Sequence, residues 1–172
     1  MSNQIPEVKF NFRENGEFVT RTSADLFEGK RVVLFSLPGA FTPTCSTYQL
    51  PGFEESYEDF IGLGIDEIYC ISVNDAFVMN AWAKDQNIKN VKLIPDGNAD
   101  FTRDMGMLVT KTNIGFGNRS WRYAAVVNDG FIEWLSQEPG KRSNGNEDPY
   151  VETTPEKVLQ YVKSTAQKTV PV

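Results

Sequence analysis

Four apolar residues, Val32-Val33-Leu34-Phe35, run straight into Ser36-Leu37-Pro38-Gly39-Ala40-Phe41-Thr42-Pro43-Thr44-Cys45-Ser46, and a helical pattern begins where that stretch ends. The β-branched and aromatic run predicts a buried strand. The prolines, glycine and hydroxyl residues predict a turn that feeds a helix, with Thr42 one step before it and Pro43 at its first position. Cys45 then lies just inside a helix start, where unpaired backbone N–H groups and the positive end of the helix dipole converge. That setting favours the thiolate, the reactive form of cysteine. The competing reading is a buried structural thiol, the ordinary fate of a free cysteine.

Around this stretch, strand and helix patterns alternate. Residues 8–12 alternate like a strand, and Glu14-Asn15-Gly16-Glu17 turns the chain into Phe18-Val19-Thr20, an N-terminal β-hairpin. Ser23-Ala24-Asp25-Leu26-Phe27 reads as a short capped helix closed by Gly29. Phe53, Tyr57, Phe60 and Ile61 recur at helical spacing, so an amphipathic helix is expected over 51 to about 63, with Pro51 breaking or kinking it and leaving Cys45 on a short first segment. Residues 65–73 and 91–94 read as further strands, with a helix between them capped by Asn74-Asp75 and carrying Phe77, Val78, Ala81 and Trp82. A helix over 99–105 and a Gly-, Asn- and Thr-rich loop reach Asn118; Asn128-Asp129-Gly130 then turns one strand back on another. A polar loop over 141–148 precedes a last helix opened by Thr154-Pro155-Glu156, beyond which the tail is expected to fray. The pattern predicts an α/β fold with a mixed central sheet and helices on both faces. No linker or repeat interrupts it, so residues 1–172 read as a single domain.

Two counts narrow the chemistry. The chain has no histidine, which excludes Ser-His-Asp and Cys-His hydrolysis and any His-ligated metal. Its only cysteines, Cys45 and Cys70, form neither a Cys-x-x-Cys dithiol nor a zinc set. A net charge of −6 argues against a nucleic-acid partner. No apolar run approaches the roughly 20 residues that cross a membrane, and no leader is visible at Met1-Ser2-Asn3-Gln4-Ile5-Pro6, so a cytoplasmic location is expected. What remains is a lone thiol with cationic and hydroxyl helpers. An ordinary thiol titrates near about 8.5, and a helix N-terminus contributes only ~0.3–1 kcal/mol toward ionising it. A fixed cation must do much of the rest, and without histidine that cation is Arg or Lys.

The segment Pro38-Gly39-Ala40-Phe41-Thr42-Pro43-Thr44-Cys45 resembles the Pro-x-x-x-Thr-x-x-Cys motif of the peroxiredoxins, type-five and hybrid subgroup. Ser72-Val73-Asn74-Asp75-Ala76-Phe77-Val78, Asp96-Gly97 and Gly117-Asn118-Arg119-Ser120-Trp121-Arg122-Tyr123 resemble the same group. No glutaredoxin module, such as hybrid forms carry, follows in this sequence. The resemblance implies a thioredoxin-like fold, reduction of hydrogen peroxide and organic hydroperoxides, no cofactor beyond an external thiol reductant, and a homodimer. By motif position Cys45 would attack the peroxide and become a sulfenic acid, Thr42 would offer its hydroxyl, and Pro38 would shield the intermediate from water. Arg122 falls where the family places its arginine, with Arg119 the nearby competitor. Where similar proteins carry histidine four residues after the cysteine, this chain has Gln49.

Cys70 sits inside Glu67-Ile68-Tyr69-Cys70-Ile71-Ser72-Val73, a core-strand pattern, and reads as an inert buried thiol. The expectation is therefore a one-cysteine cycle, with glutathione and a separate glutaredoxin as reductant. The alternatives are a transient Cys45–Cys70 disulfide served by thioredoxin, and a peroxide sensor oxidised without turnover.

Overall fold

The computed structural model describes residues 3–168, with side chains through residue 165; the expected fraying of the tail falls on residues outside that range. In chain order the elements are β1 (Lys9–Glu14), β2 (Glu17–Thr22), α1 (Ser23–Phe27), β3 (Arg31–Ser36), a π-helical turn (Cys45–Gln49), α2 (Leu50–Glu55), α3 (Tyr57–Gly62), β4 (Glu67–Ser72), α4 (Ala76–Asp85), β5 (Lys92–Pro95), α5 (Asp100–Asp104), β6 (Leu108–Thr110), a 3₁₀ turn (Thr112–Ile114), β7 (Asn118–Ser120), β8 (Tyr123–Asn128), β9 (Phe131–Gln137) and α6 (Pro155–Lys168). Five strands form the central sheet in the order β5-β4-β3-β8-β9. β3 runs parallel to β4 and antiparallel to β8, so the sheet is mixed as expected.

The alternation of β3 assigns its side chains to two apolar layers. Val33 and Phe35 point into one layer with Phe53, Phe60, Met79, Trp82, Val158 and Val162, contributed by α2, α3, α4 and α6. Val32 and Leu34 point into the other with Phe10, Leu26, Phe27 and Phe101, from β1, α1 and α5. Covered on both sides, β3 is buried from Val32 through Ser36, which is why it reads as an unbroken apolar run. The predicted hairpin is present, with Asn15 and Gly16 both at positive φ, as a two-residue turn requires. Thr22 and Asp25 form a reciprocal cap at the start of α1.

Two expectations, on Pro51 and on the segment before Asn118, need correction. Pro51 does not break its helix. It occupies the first turn of α2, directly after the π turn in which the Leu50 N–H reaches back to the Cys45 carbonyl. A widened turn just upstream relieves the clash a proline ring makes with the preceding helical turn. The helical run is interrupted instead at Ser56, between α2 and α3. On α4 the buried face is Ala76, Met79 and Trp82, while Phe77 and Ala81 face outward. Finally, the segment leading to Asn118 is not plain loop, because β6 pairs with β7 there.

Candidate active site

The stretch after β3 is held from several sides. Asn74, at the end of β4, accepts the Ala40 N–H (3.0 Å) and the Ser72 hydroxyl (2.6 Å), tying the turn to the neighbouring strand. Phe41 has φ 65°, a left-handed conformation that costs a non-glycine residue, and its ring is 51 % exposed. Gly39 permits a close approach: a Cβ there would lie 2.3 Å from a terminal nitrogen of Arg119, and the guanidinium would have to move aside. That nitrogen donates to the Pro38 carbonyl (3.1 Å) and the Arg119 Nε to the Phe116 carbonyl (3.2 Å). Arg119 thus braces the turn and lies across the Phe116 ring at 4.9 Å.

Pro43 begins the helix, and the Thr42 carbonyl accepts the Ser46 N–H at 2.9 Å. The Thr42 hydroxyl donates to the Gly39 carbonyl (2.7 Å), so it is not a side-chain cap. Its lone pairs stay available to a ligand. Cys45 follows in the first turn, fully buried. Beside it Ser46 accepts the indole N–H of Trp82 at 2.9 Å.

The Arg122 guanidinium donates to the Cys45 Sγ at 3.3 Å. It comes from just before β8 and is 2 % exposed, not the solvated surface charge its position alone would suggest. Its other terminal nitrogen bonds the Pro149 carbonyl and the Asp148 carboxylate, each at 2.8 Å, and the group lies 5.5 Å from the centre of the Tyr150 ring. Burial opposes the charge on Arg122, but the facing Cys45 sulfur and Asp148 outweigh it and raise its pKa above the ordinary arginine value. For Arg119, burial prevails over the attraction of Cys45 and its pKa is lowered. A cavity of about 200 Å³ adjoins the cluster, lined by Pro38, Thr42, Ile114, Phe116 and Asp148 among others. The arrangement can hold a thiolate against a fixed cation and admit a small molecule past Pro38 and Thr42.

The chain matches the Redoxin family over residues 2–153. It is 55 % identical to a peroxiredoxin of Rhizobium etli, covering 96 % of this chain and 98 % of that one. The hybrid peroxiredoxin hyPrx5 of Haemophilus influenzae is 45 % identical, over 92 % of this chain and 64 % of its own length. The crystal structure of the Plasmodium falciparum antioxidant protein, a 1-Cys peroxiredoxin, superposes with a TM-score of 0.90 at 42 % identity, over 94 % of this chain and 96 % of that one. This chain belongs to the peroxiredoxin family. A peroxiredoxin is a thiol peroxidase on a thioredoxin-like fold, and its chemistry needs no prosthetic group.

In this peroxiredoxin the four residues singled out from the sequence converge: Cys45 on Arg122 directly, and Pro38 and Thr42 at the adjoining cavity. Gln49 is buried in the π turn, its Nε2 3.5 Å from the Ser36 carbonyl and its Oε1 without a hydrogen-bond partner among the described residues. Cys70 is a fully buried free thiol on β4, its pKa pushed well up by burial and then by the nearby Cys45 charge. Sequence reasoning missed Asn74 as a tether of the turn, the Asp148–Tyr150 embrace of Arg122, and Glu138. The Glu138 carboxylate, fully buried, accepts from the N–H groups of Val151 (2.8 Å), Glu152 (2.9 Å) and Thr153 (2.8 Å) and from the Thr153 hydroxyl (2.7 Å). A charged residue next to Pro139-Gly140 reads as surface turn in sequence, and only the fold reveals what it holds.

Proposed function

We propose that Cys45 is the peroxidatic nucleophile of a one-cysteine peroxiredoxin regenerated by glutathione and glutaredoxin. The observation that carries this reading is the Arg122 guanidinium donating to the Cys45 sulfur in a fully buried site. The thiolate attacks the terminal oxygen of hydrogen peroxide or an organic hydroperoxide. An S–O bond forms, the O–O bond breaks, and the departing hydroxide or alkoxide leaves as water or alcohol after taking a proton. Sulfur is oxidised to the sulfenic acid. Arg122 holds the thiolate and meets the charge developing along the breaking bond. The Cys45 N–H, in the first turn of the helix, adds a second donor. Thr42, with its proton directed to Gly39, accepts from the peroxide O–H and orients it. Pro38 covers the approach.

Glutathione then condenses with the sulfenic acid, releasing water and leaving a mixed disulfide, which glutaredoxin or a second glutathione reduces to restore the thiol. The burial of Cys70 in a central strand favours this cycle over a Cys45–Cys70 disulfide, which requires Cα atoms within about 7 Å and correctly aimed side chains. We further propose a homodimer through exposed aromatic residues such as Phe41 and Phe77, 51 % and 57 % exposed.

Peroxide consumption by the wild type, Cys45→Ser and Cys70→Ser, with glutathione plus glutaredoxin or with thioredoxin and its reductase, tests the cycle. Loss only in Cys45→Ser with glutathione support is the expected result. Loss in both variants, with thioredoxin support, would replace it with the two-cysteine cycle. One peroxide consumed per thiol and no turnover would make the protein a sensor.

A further inference from the structure

The cavity beside Thr42 carries one charge that the proposed reaction does not use. Lys111, between β6 and the 3₁₀ turn, lines it and is 5 % exposed. Its backbone is fixed: the N–H donates to the Gly117 carbonyl (2.7 Å), and its own carbonyl accepts from Ile114 (3.3 Å) and Phe116 (3.0 Å). Its ammonium has no hydrogen-bond or ion-pair partner among the described residues. Two carboxylates share the lining, and both are already committed: Asp148 to Arg122 and Glu147 to Arg142, each at 2.8 Å. The half-buried Arg119, against Phe116, spends its donors on carbonyls and has no carboxylate partner among the described residues. The uncompensated charge around the cavity is therefore positive, while the walls at Pro38, Ile114 and Phe116 are apolar. The Lys111 side chain is buried along its length while its nitrogen keeps some solvent contact, so an incoming anion can pair with it through a charge-assisted hydrogen bond.

We propose that Lys111 is the cation of a carboxylate-binding subsite beside the Cys45 thiol. It selects small molecules that carry a carboxylate on an apolar body a short distance from the reacting oxygen or sulfur. This rests on the peroxidase reading above and names what that site prefers. A carboxylate can arrive on the hydroperoxide or on the thiol reductant, whose peptide form carries two, and the chemistry of recognition is the same.

The test compares acids with their own neutral esters. Oxidation of Cys45 is followed by stopped-flow tryptophan fluorescence, using ring-carboxylated cumene hydroperoxide and its methyl ester. Reduction of the oxidised enzyme is followed with glutathione and its diethyl ester. The expected result is a preference of about tenfold for the acid over the ester in at least one arm. That preference is lost in Lys111→Met, kept in Lys111→Arg, and weakened by salt. A preference confined to the first arm assigns the subsite to the substrate, and one confined to the second assigns it to the reductant. Equal acid-to-ester ratios in the wild type and Lys111→Met in both arms overturn the proposal. If no peroxide oxidises Cys45, the peroxidase reading fails instead. The subsite is read separately by titrating lysine-ε-¹³C-labelled protein with benzoate: a saturable shift of the Lys111 signal supports it, and an unmoved signal overturns it.

Discussion

Arg122 and Glu138 are joined twice where the β8–β9 ladder ends. The Glu138 N–H donates to the Arg122 carbonyl at 3.1 Å, one step beyond the Tyr123–Gln137 pair. The Glu138 carboxylate also gathers four donors from residues 151–153, the continuation of the strap whose Pro149 carbonyl and Tyr150 ring hold the Arg122 guanidinium. Glu138 is thus a positioning residue for the cation at the sulfur. Glu138→Gln turns one acceptor oxygen into an amide N–H₂ facing N–H donors, leaving buried donors unpaired at ~1–3 kcal/mol each. We expect a loss of about 2–4 kcal/mol in urea unfolding. We also expect alkylation of Cys45 at neutral pH to slow by about tenfold, with the deficit narrowing in alkaline solution where any thiol ionises. A stability loss with unchanged alkylation at neutral pH would leave Glu138 a structural clamp only.

Gly39 and Arg119 form a second coupled pair. With a Cβ only 2.3 Å from the Arg119 nitrogen, Gly39→Ala must displace the guanidinium and strip the Pro38 carbonyl of its donor. The expected cost is about 1–3 kcal/mol, with slower oxidation of Cys45 because Pro38 is no longer fixed. In the double variant Gly39→Ala/Arg119→Ala the clash is absent, so the two losses should fall short of additive. A double-mutant cycle measures this, and strict additivity would show that the two side chains do not meet.

Glu54 gives a pH dependence of stability. Burial opposes its ionisation, but hydrogen bonds from Val91, Asn90 and Lys89 prevail and its pKa is lowered from 4.5. A carboxyl with a lower pKa in the folded state contributes stability above its unfolded value and loses it as the pH falls through the folded one. Glu54→Gln should therefore destabilise by about 1 kcal/mol at neutral pH, a modest figure because solvent screens the site. The two proteins should converge on acidification below 4.5. Urea titrations at both pH values check it. A gap that persists unchanged in acid would mean that packing of the side chain, not its charge, holds the 89–91 segment.

Legibility in the sequence followed the range of the interactions. The strands of the central sheet, both Asn-Gly- and Asp-Gly-type turns and the Asp75 cap of α4 were readable because period and turn chemistry are local. So was the placing of Pro38, Thr42 and Cys45 on one turn, since eight consecutive residues of chain fix it. Arg122 was singled out by its place in a family motif, while its 77-residue reach to the sulfur appears only in the fold. Other long-range facts were invisible: Glu138 holding 151–153, Asn74 holding Ala40, and Lys111 lining the cavity. The π turn was missed because Pro51 signals disruption without saying on which side it will be absorbed.

The two thiols differ in a way that alkylation can read directly. Cys45 faces the Arg122 guanidinium at 3.3 Å, and Thr42, three residues before it, lines a cavity, whereas Cys70 is sealed in β4 between Tyr69 and Ile71, with its ionisation opposed by burial and by the charge of Cys45. A thiol whose folded-state pKa is raised resists ionisation, so Cys70 should stay protonated and unreactive through neutral pH. Brief treatment of the native, reduced protein with iodoacetamide at neutral pH should modify Cys45 alone, and addition of urea should expose Cys70 to a second modification. Intact-mass and peptide analysis count the labels. Oxidation by one equivalent of hydrogen peroxide before labelling should protect Cys45 and leave Cys70 as the only thiol detected after unfolding. Were the unfolded, peroxide-treated protein to show no free thiol, Cys70 would have joined Cys45 in a disulfide. β4 would then have to open during turnover, and the one-cysteine cycle would give way to the two-cysteine one.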